Sequence, residues 1–280
     1  MNRRRFLGTA LAGATALAGR GFGAARPPFP TNPQGLPLVD LHVHPDRSTL
    51  AAIAALAREQ GVRYGLVEHA GTKENVYPRV LSSDAELLAW VDELEPHGFL
   101  KGIQAEWIDW SGCFSRAALA RLDYVLTDAM TMPGPGGRRM KLWEKDAVIE
   151  DDAQRFMDRF VDWHVQVLRE QPIDVLGNVS WLPAKFAADY ERLWTQARIE
   201  RVVGEFVRQG VALEISSSYQ IPKTSFLKLA REAGVKFCFG SNGRYPAMGR
   251  LEYSLQAAQA LRLSPGDCWL PGGSPPRAAR

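Results

Sequence analysis

The sequence predicts an α/β protein: a distorted (β/α)7 barrel of the TIM-like type. Three observations lead to this prediction: seven short apolar runs alternate with helix-like segments, the runs are hydrophobic almost throughout, and polar residues follow them. Strands that alternate with helices form parallel sheets, and strands covered by helices on both faces lack polar positions. An open doubly wound sheet is the alternative, but no G-x-G-x-x-G fingerprint follows the first run.

Four parts are expected along the 280 residues. Residues 1–25 resemble a twin-arginine signal peptide, because "RRRFL" at 3–7 precedes a Gly/Ala-rich apolar stretch and a group of small residues. Residues 26–36 form a Pro-rich linker, 37–270 the barrel domain and 271–280 a disordered tail. The apolar stretch is too short for a permanent membrane span. We therefore expect export to the periplasm, or to another site outside the cytoplasm, by the twin-arginine route.

The charge balance argues against a nucleic-acid partner. The chain has 34 Lys and Arg residues against 31 Asp and Glu residues, a net charge of +3. Four of these arginines lie in the predicted signal peptide, and the remainder of the chain has 30 basic and 31 acidic residues. A nearly neutral protein has no general attraction to nucleic acid or to a membrane surface.

The predicted strands are the seven apolar runs 36–43, 63–69, 99–107, 122–128, 173–179, 211–216 and 235–241. Helical patterns lie between them. The segment 49–61 ends in Gly61, which suits a helix C-cap. The segment 82–98 opens with serines and acidic residues, which is typical of a helix N-terminus.

Residues suited to chemistry stand at the ends of the predicted strands. Catalytic residues of β/α barrels collect at the carboxyl ends of the strands, so these side chains should share one face of the barrel. In chain order they are His42, His44, Glu68, His69, Glu106, Asp128, Asn178, Glu214 and Asn242.

The pair His42 and His44 suggests a metal site. Their two-residue spacing places both side chains on one face of a strand. His69 and Glu106 follow at the next two strand ends, and imidazole with carboxylate suits Zn, Mn or Fe. A polar barrel mouth that is hydrogen-bonded to itself is the alternative.

Several segments resemble the motifs of the PHP (polymerase and histidinol phosphatase) family. "DLHVH" at 40–44, "GLVEHAG" at 65–71 and "GIQAEW" at 102–107 resemble its first three motifs, the third with a bridging glutamate. "LDYVLTDAM", "DVLGNVS", "VALEISS" and "FCFGSNGR" stand where its later motifs belong. The resemblance covers most of 37–270. It implies a distorted seven-stranded barrel that hydrolyses phosphate esters at a cluster of up to three metal ions.

The sequence departs from the family pattern at four expected ligand positions. Met130 and Asn178 replace histidines, Asn242 replaces an aspartate, and Arg244 replaces another histidine. A thioether is a poor ligand for a hard cation, and a guanidinium repels one. We therefore expect one divalent ion (Zn, Mn or Fe) rather than three, with ligands drawn from His42, His44, His69, Glu106 and Asn242.

Other residues are assigned to catalysis and substrate binding. Asp128 or Glu214 would act as general base, and Glu68 would orient a ligand histidine; for Glu214 and Glu68, support of the site without direct catalysis is the favoured alternative. Arg244 can bind a phosphate or carboxylate through both guanidinium nitrogens. The Gly/Pro-rich loop 131–145 should hang over the barrel mouth, where an anionic small-molecule substrate would meet Arg138, Arg139 and Lys141; a solvated loop without substrate contacts is the alternative.

The sequence thus predicts an exported, metal-dependent hydrolase of PHP type that acts on a phosphoester or another anionic small molecule. An amidohydrolase-type barrel also begins with His-x-His, but Asn178, Glu214 and Asn242 replace its later ligands. A non-catalytic barrel that has lost its metal cluster and binds an anion or a sugar is the third possibility.

Overall fold

The structure, a computed structural model, describes residues 28–272 and 274–280. Seven parallel strands follow one another in chain order around a nearly closed barrel. These strands are β1 (Val39–Val43), β2 (Arg63–Ala70), β4 (Leu100–Ala105), β5 (Tyr124–Asp128), β8 (Val175–Gly177), β9 (Ala212–Ser216) and β10 (Phe237–Gly240). The short strand β3 (Val80–Leu81) pairs with β2, while β6 (Thr131–Pro133) and β7 (Arg139–Lys141) form a separate antiparallel hairpin. The predicted β/α barrel is confirmed.

Helices connect the strands on the outside of the barrel. In the described ranges they are α1 (Leu50–Gln60), α2 (Asp84–Leu94), α3 (Arg116–Leu119), α4 (Ala153–Glu170), α5 (Tyr190–Leu193), α6 (Gln196–Gln209), α7 (Thr224–Glu232) and α8 (Glu252–Ala260). Helix α1 starts where the Thr49 side chain accepts a hydrogen bond from the Ala52 N–H, and it ends at Gly61 with a φ of 66°. That left-handed conformation suits glycine, as predicted. No helix in the described part of the chain is long and apolar enough to cross a membrane.

The barrel closes between its first and last strands through one buried carboxylate. Asp40 on β1 accepts hydrogen bonds from the Ser241 N–H at 2.9 Å, the Ser241 hydroxyl at 2.5 Å and the Gly249 N–H at 2.9 Å. Next to it, the His44 N–H donates to the Gly243 carbonyl at 2.9 Å. These bonds join residues about 200 positions apart in the chain and take the place of a regular ladder between β1 and β10.

The core has two layers, and the inner layer fills only the lower part of the barrel. Inside the strands lie Val39, Leu41, Val67, Leu100, Tyr124, Leu126, Val175, Ala212 and Cys238. Phe29, Trp269 and Leu270 pack against this cluster and cover the amino ends of the strands. The larger outer layer fills the space between strands and helices. Polar side chains therefore face the interior of the barrel at the carboxyl ends of the strands, above the apolar cluster.

Two predicted segments at the ends of the chain have different outcomes. The predicted signal peptide, 1–25, lies outside the described residues. The tail, expected to be disordered, packs against the barrel over 274–280: the Arg277 N–H donates to the Asp174 carboxylate at 3.2 Å, and Ala278 and Ala279 contact the outer core.

Candidate functional site

The carboxyl ends of the strands surround a cavity of about 270 Å³. Six of the residues singled out from the sequence line it: His44, His69, Asp128, Asn178, Asn242 and Arg244. Met130 also lines it, and so does Trp143 of the loop 131–145. Gln104, Tyr77 and Tyr219 complete the lining and were not predicted from the sequence. The rule that barrel sites form at the strand ends therefore located the cavity correctly.

His42 lies beneath the cavity and is fully buried. Its Nδ1 is 2.9 Å from Glu214 Oε1, and its Nε2 is 3.1 Å from Gln104 Oε1. Burial by itself lowers the pKa of an imidazole, but the adjacent Glu214 carboxylate outweighs it, and the pKa of His42 is raised. Both ring nitrogens are thus already engaged by protein groups.

Glu214 is fully buried and does not line the cavity. One carboxylate oxygen bonds His42, and the other accepts the Asn178 N–H at 2.7 Å. Two glycines give it room: a Cβ on Gly240 would lie 1.7 Å from Oε1, and one on Gly177 would lie 2.7 Å from Oε2. Glu214, predicted as a possible general base, instead positions His42 and the backbone of Asn178.

His44 is a neutral imidazole at the cavity wall. Its pKa is well below the usual value, first because of burial and then because of the charges at His42, His69 and Arg244. The side chain of Asn242, which follows β10, lies beside His44 and opposes this lowering. Asn242 has a left-handed φ of 47°, a conformation that asparagine tolerates better than most residues.

A second imidazole–carboxylate pair supports the wall at His69. His69 Nδ1 is 2.7 Å from Glu106 Oε1, and the Tyr77 hydroxyl donates to Glu106 Oε2 at 3.1 Å. The Tyr77 ring stacks on His69 with 3.6 Å between centroids. Glu106, predicted as a metal ligand, has both oxygens in these bonds and does not line the cavity. Glu106 therefore fixes the orientation of the His69 ring through Nδ1. The second ring nitrogen, Nε2, is not used in this bond.

Asp128 is the carboxylate that faces the cavity. Oδ1 accepts the Met130 N–H at 2.9 Å, and Oδ2 accepts Asn178 Nδ2 at 3.3 Å. Burial, with repulsion from Glu106, raises the pKa of Asp128 to about 6. An acid with that pKa can exchange protons near neutral pH.

Arg244 is the cation at the cavity rim. Its Nε donates to Asp46 Oδ2 at 3.1 Å, and the side chain is 30% exposed. The contact to Asp46 uses one of the guanidinium nitrogens, so the planar group is held with its terminal nitrogens available to an anion.

The three basic residues of the loop, predicted to bind substrate, lie outside the lining of the cavity. Arg139 donates to Asn75 and Thr72, both at 3.0 Å, and to Asp109 at 2.6 Å. Lys141 donates to the Val76 carbonyl at 3.2 Å, and its ammonium group lies 4.1 Å from the Tyr77 ring centre. Arg138 is exposed, and none of the three basic residues lines the cavity. Arg139 and Lys141 instead hold the loop against the segment between β2 and β3, which offers several acceptors.

Glu68 faces away from the cavity. Because side chains alternate along β2, His69 points inward and Glu68 points to the outer side of the strand. Burial, offset in part by Arg79, raises the pKa of Glu68 to about 7. Glu68 was predicted to orient a ligand histidine. Its carboxylate instead accepts a hydrogen bond from the backbone N–H of His69 at 3.3 Å, so it does not contact the imidazole.

The side chains at the strand ends do not make up the predicted metal centre. Among residues 28–272 and 274–280, no three or more His, Cys, Asp or Glu side chains form a group that could hold a metal ion. Of the predicted ligands, His42 and Glu106 use their donor atoms within the protein, and Asn242 has no charge. The donor set fits a hydrogen-bonded network better than an ion.

Gln104 is the site residue whose omission matters most. It precedes Glu106 by two residues near the end of β4, so strand alternation places both on the inner face. Sequence reasoning took the carboxylate and passed over the amide. The "Q-x-E" spacing, read with the same alternation rule that was applied to His42 and His44, would have identified it.

Comparisons with known proteins support the fold. A scan of family models and a search of curated proteins both gave no match. Among solved structures, the chain is similar to a histidinol phosphate phosphatase from Lactococcus lactis, complexed with zinc, L-histidinol and phosphate. The TM-score is 0.55 at 14% identity, over 80% of this chain and 91% of that one. An HpcH/HpaI aldolase from Desulfitobacterium hafniense gives a TM-score of 0.35 at 14% identity, over 81% and 93% of the two chains. The first likeness shows that the chain has a PHP-like fold.

Proposed function

We propose that this protein is a hydrolase of small anionic esters, with phosphoesters as the first candidates, and that Asp128 is its general base. One observation carries the proposal: a partly buried carboxylate with a pKa of about 6 lines the same cavity as the guanidinium of Arg244. A base of this strength is largely ionised at pH 7, and an arginine recognises phosphate and carboxylate groups. The PHP-like fold supports the same class of reaction.

In the proposed reaction, Arg244 binds the anionic part of the substrate at the rim. Asp128 takes a proton from a water molecule whose oxygen attacks the ester. As the ester bond breaks, protonated Asp128 returns that proton to the leaving oxygen. The Met130 N–H and Asn178 Nδ2 hold the carboxylate in place for both transfers. No step is assigned to a metal ion, since the described side chains do not form a site for one.

The test is a panel of phosphomonoesters, carboxylate-bearing esters and lactones, assayed with chelator-treated protein. We expect kcat/KM to rise with pH as Asp128 ionises, around pH 6, and then to level off. Asp128→Asn should lower kcat by about 100-fold or more, the usual effect of losing a general base. Asp92→Asn, which changes an exposed carboxylate on α2, is the matched control. Equal activity in both variants would refute the role of Asp128.

A binding protein without catalysis is the second candidate. Three uncharged amides, Gln104, Asn178 and Asn242, line the cavity and can form hydrogen bonds with a ligand without transferring protons. Calorimetry with the same compounds separates the two functions. Binding that depends on Arg244, without turnover of any ester in the panel, would favour the binding protein.

We further propose that the chain is exported by the twin-arginine route. The pattern at 3–7 and the small residues before Arg26 support this proposal. Replacing Arg3, Arg4 and Arg5 with lysine should leave the protein in the cytoplasmic fraction of a host that has this pathway. Unchanged export of the triple variant would contradict it.

A further inference from the structure

The strongest unexplained contact in the site is the one between Gln104 and His42. Gln104 Oε1 lies 3.1 Å from His42 Nε2, on the side of the ring that faces the cavity floor. If the amide oxygen is on that side, Nε2 must carry a hydrogen. If the amide is turned the other way, Nε2 accepts a hydrogen bond from the NH₂ group. In both orientations the lone pair that would bind a metal ion is absent or in use.

The charges around the cavity also disfavour a cation. Asn178 and Asn242 add oxygen atoms but no negative charge, and Arg244 adds a positive one. Among the described residues that line the cavity, one has a carboxylate, and that residue is Asp128. A divalent ion at the strand ends would therefore meet one carboxylate and the imidazoles of His44 and His69, with three neutral amides and the positive charge of Arg244 around them.

We propose that Gln104 keeps divalent metal ions out of the barrel mouth, and that a carboxylate at this position, together with one at 242, would create a metal site with His42 and His44. The proposal deepens the proposed function, because it makes the chemistry at Asp128 independent of metal. A glutamate at 104 would have the same shape as the amide, and its charge would favour an ion on Nε2 of His42. Glu214 already bonds Nδ1, the outer-shell contact typical of metal-bound histidines.

Zinc alone is the probe, titrated by calorimetry into metal-free full-length protein. We expect no stoichiometric zinc binding by the unsubstituted protein. The variant Gln104→Glu/Asn242→Asp should bind one equivalent of zinc at least about tenfold more tightly than the unsubstituted protein. Tenfold is about the lower end of what one residue hydrogen-bonded to a metal ligand contributes to affinity. Gln104→Ala frees Nε2 without adding charge, so its affinity should lie between the two. Replacing His44 with alanine in the double variant should abolish the gain.

Two results would overturn the proposal. The first is stoichiometric zinc binding by the unsubstituted protein at the affinity of the double variant. The second is no gain in either Gln104→Ala or the double variant when circular dichroism shows both to be folded. Gln256→Glu, which adds a carboxylate on the exposed face of α8, controls for non-specific binding. Zinc titration needs no substrate, so absence of ester hydrolysis would refute the proposed function and leave this inference standing.

Discussion

Replacing Gly240 with alanine tests the buried support of the site most directly. Gly240 ends β10, and a Cβ built there would lie 1.7 Å from Glu214 Oε1 and 2.8 Å from the Cβ of His42. Real Cβ atoms do not approach other atoms so closely, so the Glu214 side chain would have to move. The carboxylate is fully buried and bonds both His42 and Asn178, so moving it breaks at least one of these contacts.

The expected cost follows from the contacts that must be lost. Forcing an extra carbon into a packed core costs about 1–3 kcal/mol. A buried donor left without its acceptor, here the N–H of Asn178 or the imidazole of His42, costs about another 1–3 kcal/mol. We expect Gly240→Ala to lower the free energy of unfolding by about 4 kcal/mol and the melting temperature by about 10 °C.

The assay is urea unfolding followed by circular dichroism, with Gly204→Ala as the control. Gly204 lies inside α6, and a Cβ there would meet nothing within 4 Å. Alanine in a helix interior is favoured over glycine, so this variant should gain about 0.5–1 kcal/mol. The same substitution should therefore have opposite signs at the two positions. If Gly240→Ala were as stable as the unsubstituted protein, the placement of Glu214 would be incorrect.

Two further predictions concern the cavity. Arg244→Lys should raise KM for an anionic substrate by about tenfold and leave kcat nearly unchanged, because lysine keeps the charge but loses the planar fork; an equal fall in kcat would contradict a role confined to binding. Asp128→Asn should be less active but more stable at pH 8. Folding raises the pKa of Asp128 from 3.8 to about 6, so protonated Asp128 stabilises the fold fully below about pH 4, and this stabilisation is lost as the pH rises through 6. Asparagine resembles the protonated acid and keeps the stabilisation at every pH. Urea unfolding at pH 4 and pH 8 measures this, with a gain of up to about 3 kcal/mol at pH 8 and little gain at pH 4. A variant that is less stable at both values would contradict it.

The barrel and the position of its cavity could be predicted from sequence because they depend on local patterns. Apolar runs of strand length specify buried parallel strands, and the carboxyl ends of such strands meet at one face. Once the strands are placed, His44, His69 and Asp128 must therefore lie near one another. Whether these side chains converge on one ion could not be predicted, because the spacing along each strand does not determine a tetrahedral or octahedral arrangement of donor atoms from several strands.

The contacts that decide the chemistry join distant parts of the chain. The partner of His42 Nδ1 is 172 residues away, and that of Nε2 is 62 residues away. Arg139 was expected to meet substrate, yet it bonds Asn75 and Thr72 more than 60 residues before it. A charged or aromatic side chain can contact many partners with similar energies, so the sequence around it does not identify the partner that it has in the fold.

The hydrogen bonds that Asp40 makes between the first and last strands have a consequence for synthesis. The first strand leaves the ribosome early, but the Gly249 N–H that completes its carboxylate cluster is made 209 residues later. Until β10 is made, β1 has a neighbouring strand on one side only. Contacts of such long range slow folding. The cavity therefore forms only after β10 and the residues that follow it have been made, and a chain that stops before β10 should leave one edge of β1 unpaired and open to association with another chain.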